Sequence, residues 1–136
     1  MLIDSNILIY ALNTSSPKQK QAAEYISQQK QLFLTQQNIM ETLRIITHTR
    51  FPHPFSTSEA TALLNDILHN ATILSPLPET IYLAQKLIEK YAIRGNEVFD
   101  AYFVATALSH QHTTVATDNT KHLGKYSEIA VVNPFA

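Results

Sequence analysis

The sequence predicts an α/β fold in which one parallel sheet of about five strands is flanked by helices. Short aliphatic and β-branched runs alternate with longer segments whose apolar residues recur every three or four positions. Such alternation favours parallel strands joined by right-handed crossovers. A second observation is the segment Val98–Leu108, which carries only one charge and is apolar on nearly every face. This is typical of a helix buried on all sides, and we expect the fold to be built around it.

The composition indicates one domain, spanning residues 1–136, with few charges. Apolar residues make up 45% of the chain and charged residues 15%, which is below the typical charged fraction of about 25%. A carboxylate beside an apolar run is therefore notable in this sequence. The net charge of −1 provides no overall basic field that would attract nucleic acid, although a local basic patch remains compatible with it.

Several missing signals narrow the class of protein further. The chain has no cysteine, which excludes disulfides and thiolate metal sites. No apolar run reaches the length of a membrane span. The first residues pass directly into Leu2-Ile3 without the basic start of a signal peptide. We therefore expect a cytoplasmic protein that does not enter a membrane.

The first half of the chain contains two predicted strands and three predicted helices. The polar sequence Asp4-Ser5-Asn6 ends the first strand, and Asn6 is suited to cap the following helix. Ser15-Ser16-Pro17 starts the second helix, because proline is favoured in the first turn. Pro52 and Pro54 end the third helix. The elements are a strand at Met1–Asp4, helices at Ile7–Leu12 and Lys18–Lys30, a strand at Leu32–Leu34 and a helix at Thr35–Arg50.

The second half alternates in the same way. Ser56 and Glu59 have the spacing of a capping box. Pro78 starts another helix, and Gly95 is suited to end it as a C-cap. The elements are a helix from Ser56 to Leu68, a strand at Ala71–Leu74, a helix from Pro78 to Tyr91, the buried helix, a strand at Thr114–Thr117, a polar turn through Lys121 and a strand at Ile129–Val132.

Four carboxylates are predicted to lie at one edge of this sheet. Ligands of open α/β sheets bind beyond the carboxyl ends of the strands. Asp4 ends the first strand, and Asp118 ends the strand after the buried helix. Glu41 lies early in the helix after the second strand, and Asp100 lies in the first turn of the buried helix. All four side chains are therefore candidates for a common site.

Each acid taken alone has a plainer explanation. Asp4 is suited to an Asx-turn, and Glu41 to a capping box with Asn38 or to a solvated helix face. The negative charge of Asp100 would stabilise the N-terminus of its helix through the helix dipole. Asp118 is a common type of turn residue. These explanations are weaker together, because four independent accidents would have to place acids at one edge of the sheet.

The residue types at this edge suit a hard metal ion and phosphoryl chemistry. Clustered carboxylates raise one another's pKa and need a cation to ionise together. Oxygen ligands without cysteine or an obvious histidine partner favour Mg²⁺ or Mn²⁺, which activate water and polarise phosphate. The six histidines are scattered, and two glycines are too few for a phosphate-binding loop. No serine lies in a nucleophile elbow.

The same residues resemble the PIN domain family, specifically its VapC-type ribonuclease toxins. Leu2-Ile3-Asp4-Ser5-Asn6-Ile7-Leu8-Ile9-Tyr10 is similar to the family's opening strand and turn, and Glu41 after Asn38-Ile39-Met40 resembles its second acid. Asp100-Ala101 before Val104-Ala105-Thr106-Ala107-Leu108 resembles the third acid with its buried helix. Thr117-Asp118-Asn119 resembles the variable fourth position, and Val132-Asn133-Pro134 the closing strand. The chain departs from the family in Ser109-His110-Gln111-His112-Thr113, where a glycine is often found.

The resemblance implies a single PIN-like domain acting as a Mg²⁺- or Mn²⁺-dependent endoribonuclease. Asp4 and Asp100 would be the principal catalytic metal ligands, and Glu41 and Asp118 would complete the acidic pocket and orient the water. Family toxins are usually neutralised by a small antitoxin and commonly form dimers. Asn6 and Thr117 are candidates for donors that hold the carboxylates in place. Arg44, Arg94 and Lys121 are candidates for RNA phosphate contacts, since any such contact must be local in a slightly acidic chain.

Three alternatives remain beside this interpretation. A metal phosphohydrolase with an aspartyl nucleophile would have a second Asp two residues after Asp4, where Asn6 stands. A signalling receiver module with Lys121 as its lysine would need an adjacent acid pair after the first strand, and the chain has none. A PIN-like domain that only binds RNA or a protein would not need its acids intact.

Overall fold

Five parallel strands form the central sheet in the order β3-β2-β1-β4-β5. The computed structural model describes residues 1–136. From β1 the chain moves outward through β2 and β3, then returns to the other side of β1 for β4 and β5. Leu2 pairs with Phe33 of β2 on one side and with Val115 of β4 on the other. The strands are β1 Leu2–Ile3, β2 Leu32–Thr35, β3 Ala71–Leu74, β4 Thr114–Ala116 and β5 Ala130–Val132.

Seven helices accompany the sheet, and the predicted α/β class is confirmed. The helices are α1 Ser5–Leu12, α2 Gln19–Ser27, α3 Gln36–Ile46, α4 Thr57–Leu68, α5 Thr80–Lys90, α6 Val98–Ser109 and α7 Thr120–Leu123. A short 3-10 turn, Gly95–Glu97, leads into α6. None of the helices combines the length and the apolar character needed to cross a membrane.

Helix α6 is buried in the larger part of the core, as its sequence predicts. Ala101 and every residue from Phe103 to Ala107 are buried. They pack with residues of α5 and of β1, β3 and β4. A second apolar cluster, including Ile3, Ile7 and Leu34, packs under α1 and α2. Strand β1, which Asp4 directly follows, therefore has buried apolar residues on both faces.

Capping residues explain where the helices of the first half begin. Helix α1 begins at Ser5 rather than Ile7, because Asp4 is its N-cap and accepts the Ser5 N–H at 2.8 Å. The prediction of Asn6 as that cap is wrong, and its side chain is used elsewhere. Thr35 and Asn38 form the capping box of α3, so Asn38 does not pair with Glu41 in such a box. Helix α3 ends at Ile46, one turn before the predicted end.

Two helices end at residues with positive φ that are not glycine. Ala92, with φ 51°, follows α5, and the next N–H, of Ile93, donates to Ile88 O at 2.9 Å. The prediction of Gly95 as the C-cap of α5 is therefore wrong, and Gly95 instead opens the 3-10 turn. Gln111, with φ 63°, holds the same position after α6. These residues adopt the left-handed conformation that terminates helices.

Ser56 is the N-cap of α4, since its Oγ accepts the Glu59 N–H at 3.2 Å. The reciprocal half of the predicted capping box does not form, because the Glu59 carboxylate accepts from the Ser56 hydroxyl at 2.9 Å and not from the Ser56 backbone N–H. The segment through Lys121 was predicted to be a polar turn, but it forms the short helix α7.

Candidate active site

Asp4 lies where the strand order reverses, directly after the central strand β1. Its carboxylate accepts hydrogen bonds from the Ser5 N–H at 2.8 Å and the Thr117 hydroxyl at 2.8 Å. Asn6 Nδ2 and Asn38 Nδ2 donate to it over 3.3 and 3.4 Å. Asn6 and Thr117, predicted to hold a carboxylate in place, thus both donate to Asp4. The donors come from α1, α3 and the end of β4, so several elements fix one carboxylate.

The environment of Asp4 disfavours its charged form despite these bonds. Burial raises the pKa of Asp4 to about 6, while the hydrogen bonds from Thr117 and Ser5 lower it. The negative charges of Glu41 and Asp100 raise it further. Desolvation and like charge therefore outweigh hydrogen bonding. A cation placed among Asp4, Glu41 and Asp100 would stabilise the charged form of Asp4.

Glu41 is joined to Asp4 through the buried residue Ser5. The Ser5 hydroxyl donates to Glu41 Oε2 at 2.8 Å and lies 3.5 Å from Asp4 Oδ1. Gln37, one turn earlier on α3, donates to Glu41 Oε1 at 3.2 Å. Both oxygens of Glu41 are thus hydrogen-bonded, and the glutamate side chain is directed toward the start of α1.

Asp100 lies in the first turn of α6 and faces the same region. Burial raises its pKa, the proximity of His122 opposes the rise, and the negative charge of Glu41 adds to it. His122 is itself bonded to Glu97, with Nδ1 2.6 Å from Oε1. The sequence reasoning missed this nearby histidine because it comes from α7, 22 residues further along the chain.

Asp118 has a different environment, in an ion pair with Lys18. Lys18 Nζ lies 2.5 Å from Asp118 Oδ2, and the Tyr10 hydroxyl donates to the same oxygen at 2.9 Å. Lys18 also lies 5.1 Å from the ring centroids of both Tyr10 and Phe135. The hydrogen bond from Lys18 is the main reason that the pKa of Asp118 is lowered. This acid is already compensated by a basic side chain.

Three of the four predicted acids form one electrostatic group, because the charges of Glu41 and Asp100 raise the pKa of Asp4 and the charge of Glu41 raises the pKa of Asp100. No three acidic or histidine side chains, however, have the arrangement needed to hold a metal ion. Asp118 is linked to the group through its backbone N–H, which donates to Asn6 Oδ1 at 3.2 Å.

A cleft of about 660 Å³ opens between α3 and the start of α6 beside these acids. Gln37 crosses it, because its Nε2 donates to the backbone oxygen of Phe99 at 2.9 Å as well as to Glu41. Of the predicted basic contacts, Arg44 lines the cleft, whereas Arg94 and Lys121 do not. The lining residues are Gln37, Met40, Glu41, Arg44, Asn96, Phe99 and Asp100.

A model of the PIN domain family matches residues 1–128 of the chain. Similar solved structures include VapBC-1 from nontypeable Haemophilus influenzae, with a TM-score of 0.73, 18% identity and coverage of 99% of this chain and 98% of that one. A toxin–antitoxin complex from Klebsiella pneumoniae has a TM-score of 0.69 and 23% identity, covering 98% and 96%. VapC20 from Mycobacterium tuberculosis, described as a sarcin-ricin loop cleaving toxin, has a TM-score of 0.69 and 12% identity, covering 94% and 97%. No curated protein matches the sequence.

Proposed function

The chain belongs to the PIN domain family, and we propose that it is a Mg²⁺- or Mn²⁺-dependent endoribonuclease that acts as the toxin of a toxin–antitoxin pair. The observation that carries this proposal is the position of Asp4. It lies at the point of strand reversal, where open α/β sheets bind ligands, and it shares electrostatic contact with Glu41 and Asp100. Glu41 and Asp100 line an open cleft, and together with Asp4 they suit hydrolysis of a phosphodiester bond.

The chemistry of these donors fits a hard divalent ion. All three offer carboxylate oxygens, and burial raises the pKa of both Asp4 and Asp100, so a bound cation would relieve an existing electrostatic cost. We propose that Asp4, Glu41 and Asp100 hold the ion. When bound, such an ion supplies charge neutralisation and an activated water for attack on phosphorus.

The surrounding side chains then have separate tasks. Thr117 and Asn6 keep the Asp4 carboxylate oriented, and Ser5 couples its position to that of Glu41. Arg44 is the basic residue placed to bind an RNA phosphate in the cleft. Contacts of Arg94 and Lys121 with RNA, and metal ligation by Asp118, remain predictions. For Asp118 the ion pair with Lys18 would first have to open.

The proposed partners follow from the family and from similar folds. The Klebsiella protein with a similar fold forms a toxin–antitoxin complex, and VapC20 is a sarcin-ricin loop cleaving toxin. We propose a small antitoxin protein and a homodimer as the corresponding assemblies for this chain.

Asp100→Asn provides the test, with Asp66→Asn in the exposed part of α4 as its matched control. Without metal, Asp100→Asn should unfold at a higher urea concentration than the parent, because a repelled and partly buried charge is removed. With millimolar Mn²⁺, the parent should be stabilised by ligand linkage and the variant should not. Cleavage of a labelled single-stranded RNA should be lost in the variant and kept in the control.

A PIN-like domain that binds RNA or a protein without catalysis is the second candidate. It is favoured by the lack of a preformed metal-binding arrangement and by the neutralisation of Asp118 by Lys18. A parent protein that shows no Mn²⁺ stabilisation and cleaves no RNA, while still binding it, would establish this alternative and contradict the nuclease proposal.

A further inference from the structure

Two large apolar side chains are exposed at the cleft, each immediately before one of its acids. Met40 precedes Glu41 on α3 and is 64% exposed, and Phe99 precedes Asp100 on α6 and is 57% exposed. Both line the cleft. Exposing apolar surface of this size forgoes the free energy of burial, and clustered exposure of this kind marks interaction sites.

We propose that Met40 and Phe99 form a nucleobase-binding surface, on which a base of single-stranded RNA next to the scissile phosphate stacks. This Met40–Phe99 surface would require an unstacked base beside the scissile phosphate. The inference rests on the proposed nuclease function and extends it to a base-binding subsite.

The surroundings of the surface favour a base over a protein segment. An amphipathic helix in a groove needs apolar anchors at i, i+3 or i+4, and i+7, whereas the cleft has two apolar residues among five polar ones. The polar set suits a nucleotide, since Arg44 can bind phosphate and the exposed amide of Asn96 is of the type that bonds to base edges. A volume of about 660 Å³ lies within the roughly 300–1,000 Å³ of small-ligand pockets.

The geometry also fixes the surface relative to the acids. Gln37 donates to Glu41 Oε1 at 3.2 Å and to Phe99 O at 2.9 Å, so one amide joins α3 to the turn that presents the ring. A base stacked on Phe99 would therefore lie in the same cleft as Glu41 and Asp100. Aromatic rings bind bases through stacking, which tolerates any sequence but responds to ring area. The thioether of Met40 is polarisable and adapts to a neighbouring ring.

The test measures binding of a short single-stranded oligouridylate that carries one 2-aminopurine, in EDTA so that no cleavage occurs. With the parent, 2-aminopurine fluorescence should be quenched on binding. Phe99→Ala should weaken binding about tenfold and abolish the quenching, while Phe99→Tyr should restore both. Tyr82→Ala is the matched control, because Tyr82 is an aromatic residue on α5 that is 66% exposed and does not line the cleft.

An abasic oligonucleotide separates stacking from a general loss of RNA binding. The parent should prefer the intact oligonucleotide about tenfold, and Phe99→Ala should bind both equally. If Phe99→Ala weakens binding of both by the same factor, or leaves binding and quenching unchanged, the base-binding proposal is overturned and the surface is assigned to a protein partner. Cleavage of RNA by the parent in a parallel assay, with Mn²⁺ and without EDTA, would then show that only the subsite is wrong. A parent that neither binds nor cleaves RNA would overturn both proposals.

Discussion

Raising the pH should destabilise the metal-free protein through Asp4. Its pKa is raised from 3.8 to about 6 in the folded state, so the folded protein binds the proton more tightly than the unfolded chain. Stability from this group is complete below about pH 4 and is lost as pH rises through about 6. The upward shift of the pKa by about two units, at about 1.36 kcal/mol per unit, corresponds to a loss of about 3 kcal/mol of stability. This is a large fraction of the roughly 5–15 kcal/mol that stabilises a domain.

Urea unfolding in EDTA, at about pH 4 and about pH 7.5, measures this loss. Histidines and other acids also titrate over the interval, so the informative quantity is the comparison with Asp4→Asn, which carries no titrating group at that position. The difference in unfolding free energy between parent and variant should move by about 3 kcal/mol between the two pH values, in favour of the variant at the higher one. A difference that is the same at both pH values would refute the electrostatic description of Asp4. Asp66→Asn, in the exposed part of α4, should show the parental profile.

The remaining predictions concern residues outside the three-acid group. Asp118→Asn should destabilise the protein by about 1 kcal/mol at neutral pH, because Tyr10 and Lys18 would lose a charged acceptor. The pKa of Asp118 is lowered, so this contribution should be present above pH 3.8 and lost on acidification; equal urea midpoints for parent and variant at neutral pH would contradict it. Gln111→Gly should stabilise by up to about 1 kcal/mol, because the position has φ 63°. Gln111→Ala serves as its control in thermal melting, and a lower midpoint for the glycine variant would show that the Gln111 side chain stabilises the turn.

The parts of the fold that depend on apolar pattern were predictable. The strands β1, β2 and β4 and helix α6 are largely buried, so their sequences are apolar runs that stand out in a chain with few charges. Helix α7 was missed because it is four residues long and mostly polar. The C-cap of α5 was wrongly assigned to Gly95 because Ala92, rather than a glycine, takes the left-handed position. Sequence signals for helix ends rely on glycine at the left-handed position, whereas Ala92 and Gln111 occupy that position after α5 and α6.

The candidate site was predictable only as far as topology determines it. The ends of β1 and β4 are adjacent because the strands pair, so Asp4 and Thr117 had to be close. The partner of Asp118 could not be found in this way, since Lys18 is 100 residues away in sequence and lies on the connection between α1 and α2. Pairing of that kind depends on the path of a loop, which no local pattern specifies.

The position of β1 also has a consequence for how the protein is made. Strand β1 is synthesised first, yet one of its two neighbours is β4, and Leu2 pairs with Val115. The Asp4 carboxylate likewise receives a hydrogen bond from a residue 113 positions later, Thr117. A nascent chain therefore cannot complete the central pairing or orient Asp4 before ribosomes have translated more than a hundred further codons. If the protein cleaves RNA, this order of synthesis keeps an unfinished chain inactive while it is still attached to the translation machinery.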